Sequence, residues 1–66
     1  MQYTVKQARR LAEKSQRESA KAIGVCEHTY RKIEHNPEIA TVKQAQELAS
    51  FFNIPYDAIS FVSNSN

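Results

Sequence analysis

Three times in this 66-residue chain a Ser or Thr is followed three positions later by Gln or Glu: Thr4 and Gln7, Ser15 and Glu18, Thr41 and Gln44. At that spacing the hydroxyl can accept from the third backbone N–H of a helix, while the later side chain reaches back to the cap N–H. Each pair satisfies amides that a helix start otherwise leaves without partners. Three such pairs set three helix starts and leave little room for anything else. One Gly, two Pro and no sustained alternation of β-branched residues make an all-α protein the expected class.

The first pair opens a helix from Val5 to Lys14, with Val5, Ala8, Leu11 and Ala12 inward and Tyr3 placed to staple onto Ala8. The second opens a helix from Gln16 to Ile23, with Ala20 and Ile23 inward, which Gly24 ends because it is free to take positive φ. A third helix begins at or just after Cys26 and stops near Glu34 or His35, since Asn36-Pro37 pushes the chain out of helical geometry. After a loop from Asn36 to Ala40, the third pair opens a helix from Val42 to Phe52, with Val42, Ala45, Leu48, Ala49 and Phe52 inward. Asn53 is its left-handed stop. Ile54-Pro55 then turns the chain into a short fifth helix, Tyr56 to about Phe61, with Ile59 inward. One domain over 1–62 is expected, with a polar tail over 63–66 that frays.

A domain this small buries only about 60% of its unfolded surface. A single cysteine, Cys26, excludes an internal disulfide, and there is no Cys/His quartet for zinc. No signal peptide and no apolar run of about 20 residues is present, so a cytoplasmic chain without a membrane partner is expected. Charge is uneven: residues 1–36 hold eight Lys/Arg against four acids, net +4, while residues 37–66 hold one Lys against three acids, net −2. The basic half suits a phosphate-bearing partner. Charge alone leaves open the alternative of solvated helix faces.

The third helix divides cleanly. With Glu27 at zero and about 100° per residue, Arg31, His35, His28 and Lys32 fall within about 140° on one side, and Tyr30, Ile33 and Cys26 fall opposite. Any surface helix can look like this. The added signal is Ala20 and Gly24, small where two helices approach and the chain bends, ahead of an amphipathic helix.

The run Gln16-x-x-x-Ala20-x-x-Ile23-Gly24-Val25-Cys26-x-x-Thr29-Tyr30-x-x-Ile33-Glu34 resembles the helix-turn-helix of the Cro and phage-repressor (XRE-like) DNA-binding family. The later run from Leu48 to Ile59 resembles its fourth and fifth helices. The resemblance covers about Lys6 to Phe61. It implies a five-helix, lambda-repressor-like domain that binds double-stranded operator DNA as a homodimer, with helix three in the major groove. It also implies that Gln16 contacts a phosphate and braces the start of helix three, that Glu27, His28 and Lys32 read bases, and that Arg9 pairs with Glu34. Ser19 departs from the family's Leu, which implies looser packing of helix two. Cys26 replaces a Ser or Thr cap and is a poorer acceptor. Asn36-Pro37 and Asn53 stand where glycines are usual.

Chemistry sharpens these expectations. Arg31 and Lys32 can donate to phosphates or to guanine O6 and N7. Glu27 can accept from cytosine N4, or simply favour the helix N-terminus as an acid. Base reading is thus assigned to Glu27, His28, Arg31 and Lys32, and backbone contacts to Gln16, Arg17, Cys26, His35 and Asn36. Ala20, Gly24, Tyr30, Ile33, Arg9 and Glu34 are structural. Cys26 itself, on the core side of the wheel, reads as an inert apolar residue. No catalytic constellation, paired-His metal motif or glycine-rich loop occurs, so neither an enzyme nor a cofactor is expected.

The leading expectation is a small phage or mobile-element repressor. The alternative is a protein-binding module of the same fold, a DNA-binding antitoxin or an antirepressor. Phe51, Phe61 and Val62, left over once Phe52 and Ile59 are inside, form a candidate dimer seam.

Overall fold

The computed structural model describes residues 2–61; Val62 and the polar tail over 63–66 lie outside the described residues. Four α-helices follow one another, α1 Val5–Leu11, α2 Gln16–Ala22, α3 Glu27–His35 and α4 Val42–Phe52, with 3-10 turns at Pro37–Ile39 and Tyr56–Ala58. All three capping pairs form. Thr4, Ser15 and Thr41 accept from the third amide at 2.9–3.0 Å. Gln7, Glu18 and Gln44 accept in return from the cap amides at 2.8–3.0 Å.

Three helices also end alike. Glu13, Gly24 and Asn53 have φ of 58°, 72° and 58°. Each of these residues donates its N–H to the carbonyl three back, and the next residue donates to the carbonyl five back. The pairs are Glu13 to Arg10 and Lys14 to Arg9, Gly24 to Lys21 and Val25 to Ala20, and Asn53 to Ser50 and Ile54 to Ala49, all at 3.0–3.2 Å. This double bond around a left-handed residue is the Schellman stop. At Glu13 it corrects the expected first helix, which ends at Leu11 instead of reaching Lys14. Leu11, now the last helical residue, is 57% exposed, and Val42, the first of α4, is 67% exposed; neither is inward.

The largest correction concerns the fifth helix. Tyr56–Ala58 makes a single 3-10 turn, after which Ile59 is extended at φ −112°, ψ 131° and bridges Tyr3 in parallel. Tyr3 N–H donates to Ala58 O at 2.7 Å, and Ser60 N–H donates to Tyr3 O at 2.8 Å. These bonds replace those of another helical turn, and the extended backbone still delivers Ile59 to the core at 3% exposure. Tyr3 thus contributes through its backbone.

The core joins all four helices and this segment: Val5 and Ala8, Ala20, Tyr30 and Ile33, Leu48, Ala49 and Phe52, and Ile59. Ser19 is fully buried and donates its hydroxyl to Ser15 O at 2.9 Å. The fully buried Tyr30 reaches Ser19 from α3, so a large side chain on one helix meets a small one on the other. That exchange closes α2 against α3 where a looser fit was expected.

Candidate nucleic-acid interface

Gly24 sets the angle between α2 and α3. Its φ is +72° and nothing lies within 4 Å of where a Cβ would stand, so backbone torsion, not crowding, selects glycine. The turn drives Tyr30 and Ile33 into the core, 0% and 2% exposed. His28, Arg31, Lys32 and His35 remain exposed on the other side of α3, with Glu27 partly covered.

Behind this face runs a chain of polar contacts through three helices. Arg9 Nη1 donates to Lys14 O at 2.9 Å, and Arg9 Nε donates to Glu34 Oε2 at 2.6 Å. Gln16 Nε2 donates to the other oxygen of Glu34 at 3.1 Å. Arg31 then donates from Nε to Gln16 Oε1 at 3.1 Å and from Nη2 to Glu27 Oε2 at 2.6 Å. The Arg9–Glu34 pair is well covered, with side-chain exposures of 13% and 6%. Burial pushes the Glu34 carboxyl up, but the hydrogen bonds from Arg9 and Gln16, with the Tyr30 hydroxyl close by, outweigh it and hold the group below the ordinary carboxylate range. Burial, reinforced by Glu34, pushes the Tyr30 phenol well above its usual range. Its hydroxyl sits beside Glu34 and Ser19 without a hydrogen bond of good geometry.

A helix-turn-helix family model matches residues 5–59. The chain belongs to the XRE-like helix-turn-helix family. Members are DNA-binding transcription regulators, and α2, the Gly24 turn and α3 are the unit that gives the family its description. No curated protein and no solved structure matches the chain.

Within this helix-turn-helix domain two expectations change. Cys26 is exposed, not core-facing, because it precedes α3 with extended backbone, φ −76° and ψ 160°, to which a helical wheel does not apply. It holds the cap position yet makes no side-chain cap bond; its Sγ lies 3.2 Å from Thr29 Oγ1. The Thr29 hydroxyl, with the Thr29 backbone amide nearby, holds the thiol below its ordinary value. Gln16 braces Arg31 and Glu34, the middle and end of α3, and not its start.

Arg17, His35 and Asn36 are exposed, and none of them joins the polar chain. Two residues at the site escaped the sequence reading. Lys6 of α1 lines a small recess with Gln16, Arg31, Glu34 and His35, and Ile39, 49% exposed, borders a second with His28, Lys32 and Asn36. Lys6 was visible only as one more positive charge, and an isoleucine in a loop carries no signal of this kind. Among the described residues, no helix is long and apolar enough to cross a membrane, and no group of three or more His, Cys, Asp and Glu is placed to hold a metal.

Proposed function

We propose that this protein is a sequence-specific transcriptional repressor of the small phage or mobile-element Cro type. It binds a two-fold operator as a homodimer, with α3 in the major groove. The observation that carries the reading is the division of α3, with Tyr30 and Ile33 buried behind and His28, Arg31, Lys32 and His35 exposed in front. The major groove admits one helix and offers a distinct pattern of donors and acceptors at each base pair, which suits a helix face built from polar groups. Arg17 and Lys21 on α2 are exposed without an ion pair among the described residues, which leaves their charge available to phosphates. Gln16, His35, Asn36 and the backbone around Cys26 flank the reading face and are assigned to the sugar–phosphate backbone.

Selection of bound sites from random duplex DNA tests this. A two-fold motif is expected, and Lys32→Ala is expected to weaken binding to the selected site by at least about tenfold with an unchanged melting temperature. Enrichment of no motif would overturn the reading, and tight co-purification with a second protein would then favour the antitoxin or antirepressor alternative.

A further inference from the structure

Arg31 is gripped along one side only. Its Nε and Nη2 form one edge of the planar guanidinium, and that edge is taken by Gln16 Oε1 at 3.1 Å and Glu27 Oε2 at 2.6 Å. The acceptors come from two different helices. Gln16 is itself tied to Glu34 at 3.1 Å, and Glu34 to Arg9 at 2.6 Å, so the grip is referenced to α1 and α2 as well as α3. The other edge, Nη1 with the outer hydrogen of Nη2, carries no hydrogen bond among the described residues, and the side chain is 53% exposed.

A free guanidinium edge matches a coplanar pair of acceptors, either O6 and N7 of guanine or two oxygens of a phosphate. Glu27 discriminates between them. Its carboxylate lies against the guanidinium and cancels much of the positive charge seen from a distance, which weakens attraction to a phosphate and adds direct repulsion. A neutral base edge incurs no such penalty and still receives both hydrogen bonds. We infer that Glu27 is a positioning residue, which with Gln16 holds the Arg31 guanidinium by one edge and presents the other to a guanine. This rests on the DNA-reading function proposed above. It gives the acid on the reading face a role that needs no contact with cytosine.

The test is site selection from random duplex DNA with the wild type, Arg31→Ala, Glu27→Ala and Glu27→Gln. Affinities for the selected site and for a random duplex are then measured at several salt concentrations. Both side chains are substantially exposed, so the variants fold. Arg31→Ala and Glu27→Ala are expected to relax preference at the same base pair, a guanine, each by about fivefold or more. The double variant is expected to be no worse there than Arg31→Ala. Glu27→Ala is also expected to bind random DNA more tightly than the wild type, with a steeper salt dependence. Glu27→Gln keeps an acceptor for Nη2 and is expected to keep the guanine preference while sharing the gain on random DNA.

Relaxation by Glu27→Ala at a different base pair, a cytosine, would overturn the proposal in favour of direct reading by Glu27. Uniform weakening by Arg31→Ala across all sequences, with the salt slope reduced by about one, would overturn it in favour of a phosphate contact. A wild type that selects no motif would remove the DNA-reading function itself, and this proposal with it.

Discussion

Glu34 is held as a carboxylate by Arg9 and Gln16, one on each oxygen. Its value in the folded protein lies below the ordinary one, so the stabilisation is complete above the unfolded carboxylate range and is lost as pH falls through the lowered value. Glu34→Gln is expected to be about 1–2 kcal/mol less stable than the wild type at neutral pH, with the gap closing as pH falls below the ordinary carboxylate range. Urea titrations at stepped pH read this directly, and a constant gap would refute it. Cys26 supplies a second residue-scale prediction, because it has the backbone of a cap but makes no side-chain cap bond, sulfur being the poorer acceptor. Cys26→Ser is expected to add about 0.5–1 kcal/mol, a rise of several degrees in Tm by calorimetry. The poorer cap was legible in the sequence, but the exposure was not. The wheel treated Cys26 as helical, whereas a cap residue stands just outside the helix and points elsewhere. Arg9 with Glu34 came from the family resemblance; the hold of Gln16 on Arg31 could not, since nothing in a glutamine's identity says which of several neighbours its amide will choose.

Helix starts and helix ends differ in how much of them side chains record. The starts at Thr4, Ser15 and Thr41 are made by side-chain acceptors at fixed spacing, and all three were readable. The stops are made by backbone torsion, which only Gly24 and Asn53 advertise. Glu13 takes the same conformation without any compositional mark, and that is why α1 was expected to run three residues too far. The shared geometry predicts opposite signs for two substitutions. Gly24→Ala meets no steric obstacle and is expected to cost about 1–2 kcal/mol from torsion alone, whereas Glu13→Gly relieves that torsion and is expected to gain up to about 1 kcal/mol. Thermal unfolding of the two variants side by side decides it; equal effects would mean that the stops are not equivalent. The segment after Pro55 was misread for a related reason. A short helix with Ile59 inward was expected after Ile54-Pro55, yet one apolar residue can reach a core from an extended backbone as easily, once Tyr3 supplies the hydrogen bonds.

At the scale of the molecule, the all-α class and the identity of most core residues followed from spacing. The way the chain closes did not, because pairing Tyr3 with Ile59 needs two segments more than fifty residues apart to meet. The candidate seam also changed character. Phe51 and Phe61 are half-buried against the core, and Phe61 stacks on Tyr56 with ring centroids 5.6 Å apart, leaving Tyr56 and Leu11 more exposed than either. If that surface forms the proposed homodimer, Phe61→Ala is expected to weaken self-association by about tenfold in sedimentation equilibrium, and an unchanged profile would place the seam elsewhere. The bridge between Tyr3 and Ile59 has a mechanical consequence. Because the two segments run parallel, tension applied through the chain on either side slides them past one another along their length. The Tyr3–Ala58 and Tyr3–Ser60 bonds are therefore loaded together in shear, rather than peeled open in turn, before the force reaches the helices.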